Sequence, residues 1–124
     1  MVYWVLTSKW ISFDSAHHIE DYEGKCHEKH GHTYRVCAKF IMSSLDKREI
    51  GIDFAQINQK LKYITLKLDH HDVNEVLQIR NATAEIISHW IYDEMRKYFP
   101  TIYSILLQEG DGGVCEFVGY RRWS

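Results

Sequence analysis

The chain is poor in everything that would make it unusual. One proline and three cysteines are scattered through 124 residues. No eighteen apolar residues run together anywhere, which excludes a membrane-spanning helix by sequence. The start, "MVYWVLTSKWISF", lacks a basic stretch leading into an unbroken apolar one, so no secretory leader is expected. Cys26, Cys37 and Cys115 are odd in number and widely spaced; a disulfide framework is excluded in favour of reduced thiols, and a cytosolic protein is expected. There is no excess of charge of either sign. With a formal net charge of -2, no general attraction to nucleic acid or to a membrane surface follows, and any anionic ligand must meet a local basic patch. Low-complexity segments, Gly/Ser linkers and repeats are missing too, so residues 1–124 read as one domain. A chain of this size buries roughly two-thirds of its unfolded surface unaided. A metal, if bound, need not be there to hold the fold.

What is present is patterned. Residues 2–14 are rich in Val, Trp, Ile and Phe, and in "TYRVCAKFIM" Tyr34, Val36, Ala38, Phe40 and Met42 alternate with Arg35 and Lys39. Both segments predict strands. Phe54, Ile57, Leu61, Ile64 and Leu68 recur at helical spacing behind Asp53, a natural cap. A second helix is predicted from about Thr83, started by Thr83 or Asn81, with Ile86, Ile87, Trp90, Ile91, Met95 and Tyr98 on one face and Pro100 as its stop. "IYSILLQE" and "VCEFVGYRRW", separated by the turn-forming "GDGG", close the chain as strands. The order ββααββ predicts an α+β fold, an antiparallel sheet with two helices on one face.

Between the first two strands lies "CHEKHGH", Cys26 to His32, which packs a thiol and three imidazoles into seven residues. Side chains two apart on a strand point the same way, so His30 and His32 can face one ion. Two neutral imidazoles suit zinc, and a catalytic site needs a third protein ligand and an open position. His17 or His18, at the end of "FDSAHH", is the natural third if the strands pair. Cys26 is either a fourth ligand, which would close a structural site, or, beside Lys25 and near a cation, a thiol of depressed pKa acting as base or nucleophile. His27 and His89 read as surface residues, Cys37 and Cys115 as packing. In "LDHHDVNE", Asp69 can orient His70 as an acid/base pair if their side chains converge. Glu109, ending an apolar strand, can accept two N–H donors from a guanidine-like ligand edge such as a pterin's.

Taken together, "FDSAH", "CHEKHGH", "GIDF", "LDHHDVN", "NATAE" and "QEG" at Glu109 resemble, in order and spacing, the 6-pyruvoyltetrahydropterin synthase / 6-carboxytetrahydropterin synthase family. The resemblance implies a tunnelling fold (T-fold) of ββααββ order, in which three subunits close a β-barrel and two trimers stack into a homohexamer with interfacial sites. It implies zinc on His17, His30 and His32, Cys26 as general base, His70 oriented by Asp69 as second acid/base partner, and Glu109 with Thr83 anchoring the pterin. The implied substrate is 7,8-dihydroneopterin triphosphate, from which triphosphate is eliminated. The short spacing from Cys26 to His-Gly-His resembles the queuosine-pathway branch, whose product is 6-carboxytetrahydropterin with loss of acetaldehyde; pyruvoyl-forming members typically space these elements further apart. Two positions depart from the family pattern: His18 stands where Arg is frequent, and Ala82 where Pro is frequent. Without that Arg, Lys25, Lys29 and Arg80 are the candidates for gripping phosphate.

Overall fold

The computed structural model describes residues 3–119. Its elements run β1 (Trp4–Thr7), β2 (Ile11–His17), β3 (His30–Met42), α1 (Phe54–Thr65), α2 (Val73–Leu77), α3 (Ala84–Arg96), β4 (Ile102–Glu109) and β5 (Val114–Val118), with a 3₁₀ turn at Lys25–His27. All strands pair antiparallel in one sheet. Long β3 pairs with β1 and β2 along one side and with β4 on the other, and β5 follows β4.

The single first strand expected over 2–14 is broken in two, and its residue 2 lies outside the described residues. Thr7 faces Lys39 and Ile11 faces Val36, so residues 8–10, three of them, sit opposite residues 37 and 38 only. One extra residue is a bulge, and the strand bends there. Ser8 ties the bend down, its N–H donating to the Ala38 carbonyl and its hydroxyl accepting from the Ala38 N–H, both at 2.9 Å. Counted as one bent strand, β1 and β2 preserve the predicted order. Within the described residues the last strand spans Val114–Val118, and positions 120–123 of the expected strand lie outside them.

The helices differ more. Asp53 caps α1, accepting from Ala55 N at 2.9 Å, but the helix ends at Thr65 and Leu68 is buried from the turn that follows. Phe54, read as part of the buried stripe, is 51% exposed. Helix α2 has no counterpart among the predicted elements: Asp72 caps it through Asn74 N and Glu75 N, and Gln78 ends it in the left-handed region at φ 55°. Thr83 caps α3 as predicted, yet Ile86 and Tyr98 are exposed and the buried face is Ile87, Ser88, Ile91, Tyr92 and Met95.

The helices cover one face of the sheet, and between them lies one core that includes Phe13, Val36, Ala38, Phe40, Ile57, Leu61, Ile64, Ile91, Met95, Ile105 and Leu107. Register puts Ile11 opposite Val36, Phe13 opposite Tyr34, Ser15 opposite His32 and His17 opposite His30. By the pleat, these residues share the core face. The polar histidines are therefore the continuation of the apolar layer past Tyr34. Among the described residues no helix is long and apolar enough to cross a membrane.

Candidate metal centre

At that end of the sheet the rings of His17, His30 and His32 sit with centroids 4.5, 5.0 and 4.7 Å apart in the three pairs. Glu109 joins them from β4, cross-strand from Tyr34. Its Oε1 lies 3.1 Å from His32 Nε2 and 3.9 Å from His17 Nε2. One ligand atom from each of these four residues lies within 4.8 Å of every other. Ligands about 2.0–2.1 Å from a tetrahedral zinc are roughly 3.3 Å from one another, so the set is of the right size to close on one ion.

Which ring nitrogens face inward is fixed by hydrogen bonds to main chain. The carbonyl of Ala82 lies 2.7 Å from His17 Nδ1, and that of Glu28 lies 2.7 Å from His30 Nδ1. A carbonyl only accepts, so each Nδ1 carries the proton and each Nε2 offers a lone pair, the usual outer support of a metal-binding imidazole. Burial pulls the His17 pKa down from 6.5, with the Ala82 carbonyl opposing, which favours the neutral ring a metal needs. His17 Nε2 and His32 Nε2 are both buried without a hydrogen-bond partner, a costly state for polar atoms and one that an ion would relieve. The residues present therefore fit a divalent metal. His18 sits outside this group; its imidazole lies 3.8 Å from Glu20.

The end of β2 is held in place by a residue that the sequence pattern gave no reason to single out. Asn74, buried on α2, accepts from His18 N at 2.9 Å and donates to the carbonyls of His18, Ile79 and Arg80 at 2.9, 3.2 and 3.0 Å. Its backbone partners are 56 positions away at His18, a separation no local pattern reveals. Ala82 adds a further tie, its N–H donating to the His18 carbonyl at 3.2 Å. Proline at 82 has no N–H to give, so the departure from the family pattern supplies a hydrogen bond.

Other expected site residues fall in three places. Cys26 is half-buried in the 3₁₀ turn, its carbonyl accepting from Ile19 N at 2.7 Å, and its sulfur is not in the converging set. Thr83 follows Ala82 directly, its hydroxyl accepting from Ile86 N at 3.2 Å as the cap of α3. Asp69 and His70 do pair, with Oδ1 and Nδ1 3.1 Å apart. The Asp14 N–H, first, and His70 then hold the Asp69 carboxyl below the usual range against the effect of burial. His70 itself is in the left-handed region at φ 59°, a conformation rare outside glycine, asparagine, aspartate and histidine.

His70 borders a cavity of about 550 Å³ whose walls include Asp14, Ala16, Lys29, Gly31, Thr33 and Asp72. Asp14, Ala16, Gly31 and Thr33 are the members of β2 and β3 that point away from the core face. His32 also borders this cavity; His17, His30 and Glu109 do not. One chain thus brings the three histidines and Glu109 together but sets Asp69–His70 toward the other side. Gly31, between the two histidines, lies on that side, where a Cβ would meet Ser15 O at 3.7 Å, an ordinary contact. Of the phosphate candidates, Lys29 is paired with Asp72 at 2.8 Å, and Arg80 with Glu20 at 2.8 Å and Asp21 at 3.0 Å.

The family model described as 6-pyruvoyl tetrahydropterin synthase matches residues 6–119. The chain belongs to this family. It is 30% identical to the 6-carboxy-5,6,7,8-tetrahydropterin synthase of Haemophilus influenzae, covering 89% of this chain and 96% of that one. To the protein of the same name from Synechocystis it is 28% identical, over 86% of each chain. The structure of the Caenorhabditis elegans 6-pyruvoyl tetrahydropterin synthase superposes with a TM-score of 0.82 at 18% identity, covering 97% of this chain and 98% of that one. That likeness carries the T-fold, an α+β fold here with three helices instead of the two expected.

Proposed function

We propose that this chain is a zinc-dependent lyase that converts 7,8-dihydroneopterin triphosphate to 6-carboxy-5,6,7,8-tetrahydropterin with release of triphosphate and acetaldehyde, a reaction of queuosine biosynthesis. The observation that carries the reading is the convergence of His17, His30 and His32, with the Nδ1 of His17 and of His30 each committed to a main-chain carbonyl. A zinc ion held there supplies Lewis-acid polarisation of the substrate's side-chain oxygens. The carboxy branch is favoured by the short Cys26 to His30 spacing and by the names of the two bacterial relatives.

The chain's own residues divide the remaining work. Cys26 takes a proton from a side-chain carbon, and His70, oriented by the ionised Asp69, serves as the second acid/base group. Thr83 and Glu109 hold the pterin edge. Because Asp69–His70 lies outside the converging cluster of its own chain, the pair acts in a neighbouring subunit's site, and the working form is a homohexamer of two stacked trimers. The edge strand β5 supports this assembly: among the described residues it pairs only with β4, and Val114 and Val118 on it are 53% and 47% exposed. Three free thiols suit a reducing compartment, so the cytosol is its place of action.

The test is incubation of zinc-loaded protein with dihydroneopterin triphosphate, with aldehyde trapping and product mass as readouts. Acetaldehyde and the carboxy product are expected. A pyruvoyl product without aldehyde would move the chain to the other branch, and no pterin product at all would sink the proposal, leaving a zinc-stabilised pterin-binding oligomer as the alternative.

A further inference from the structure

The segment 18–29 carries Cys26 from β2 to β3, and a seam of contacts holds its first half against residues 80–82, just ahead of the cap of α3. Arg80 sends Nε to Glu20 Oε2 at 2.8 Å and Nη2 to Asp21 Oδ1 at 3.0 Å. The side-chain amide of Asn81 donates to Asp21 Oδ2 at 2.8 Å and accepts from the Asp21 N–H at 3.2 Å. Two main-chain bonds complete the seam, from Glu20 N to the Arg80 carbonyl at 3.4 Å and from Ala82 N to the His18 carbonyl at 3.2 Å.

What is fixed at Ile19 and Glu20 is passed on to the thiol's own backbone. The Ile19 N–H donates to the Cys26 carbonyl at 2.7 Å, and the Glu20 carbonyl lies 2.9 Å from His27 Nδ1, which carries the proton because a carbonyl only accepts. Gly24, at φ 127°, makes the turn that brings Cys26 and His27 back to these partners. The side chains of Arg80, Glu20 and Asp21 are 70%, 44% and 61% exposed, so the ion pairs add little to overall stability. They act instead on where the segment rests. The planar guanidinium spans carboxylates on two consecutive residues, which the single ammonium of a lysine does not match. To take up phosphate with that edge of its fork, Arg80 would have to release the segment.

We propose that Arg80 is a positioning residue for Cys26: it clamps the segment 18–29 through Glu20 and Asp21 and so sets the reach of the thiol, and it is not a residue that grips the substrate's phosphates. This deepens the reading of Cys26 as the group that takes the proton, and rests on it. Arg80 touches neither substrate nor thiol; it acts only through Glu20 and Asp21, whose neighbours hold the Cys26 backbone.

The test compares wild type, Arg80→Gln, Glu20→Gln and the double variant, all loaded with zinc. Each variant should turn over dihydroneopterin triphosphate with kcat lower by roughly 10-fold and KM within about twofold of wild type, because a displaced base costs rate and not binding. The double variant should be no slower than Arg80→Gln alone. Iodoacetamide, followed at the Cys26 peptide by mass, should alkylate Cys26 roughly fivefold faster in all three, while melting temperatures stay within about 2 °C of wild type. A KM raised about 10-fold with kcat kept in Arg80→Gln would make Arg80 a phosphate ligand and overturn the proposal. Wild-type kcat and wild-type alkylation in Glu20→Gln would overturn it too, since the clamp would then do nothing. A wild type that forms no pterin product would overturn the lyase reading instead, and the alkylation rates would still decide whether Arg80 holds the thiol's segment.

Discussion

His17 carries the clearest consequence at the scale of one residue. Its side chain is wholly buried and burial depresses its pKa from 6.5. The unfolded chain, with an ordinary imidazole there, therefore binds a proton at a higher pH than the folded chain does. Stability must fall as pH drops below about 6.5, where the unfolded state gains a proton that the native state still refuses. Metal affinity falls over the same window, because the ligands must be unprotonated to bind. Urea midpoints of metal-free protein should thus be lower at pH 5 than at pH 7.5, and the difference should shrink in His17→Gln. An equal pH dependence in that variant would show that His17 is not its source.

At the scale of elements, the site depends on how β2 ends. The strand is a bent edge whose far end is stitched to α2 through Asn74, to the segment before α3 through Ala82, and to the turn after α1 through the Ser15 hydroxyl bonded to the Leu68 carbonyl. Removing Asn74 leaves one main-chain N–H and the Ile79 and Arg80 carbonyls without this buried partner. Asn74→Ala should cost about 2–4 kcal/mol, a fall in Tm of roughly 10 °C in a domain of this size, and should weaken zinc binding by loosening His17. Thermal melts with and without metal check both parts. A Tm within two or three degrees of wild type would mean that the helix and strand are held by other contacts.

The whole molecule poses a question that one chain leaves open, since its Asp69–His70 pair lies outside the cluster of its three histidines and Glu109. If a working site takes Cys26 from one subunit and His70 from another, Cys26→Ala and His70→Ala should each be inactive while Cys26→Ala still holds zinc. Hexamers reassembled from an equal mixture should then regain about a quarter of wild-type activity, the chance that both contributing subunits carry the intact residue. Activity that stays at the level of the separate variants would place all the machinery within one chain and overturn the interfacial site.

Much of this was legible along the chain. Alternation in 34–42 fixed β3 and its buried face, and the same alternation carried backward put His30, His32 and Tyr34 on one side, although Tyr34 reads there as plain core. Asp53 and Thr83 announced their helices because capping is a local act between a side chain and an N–H two or three residues on. The bulge at 8–10, the short α2 and the exposure of Phe54 were not legible, since strand register, a five-residue helix and a helix's buried face are decided by what lies against them. The sequence by itself determined which residues can bind a metal and that His30 and His32 share a face, because period-two geometry needs no partner. Only the tertiary structure decided that His17 rather than His18 joins them, that Ala82 and Glu28 point their ring nitrogens inward, and that Glu109 comes from the other end of the chain to meet them. Apart from the Glu28 carbonyl, two positions from His30, those choices are made by contacts across 13 to 92 positions, and no local pattern encodes a distance that only folding closes.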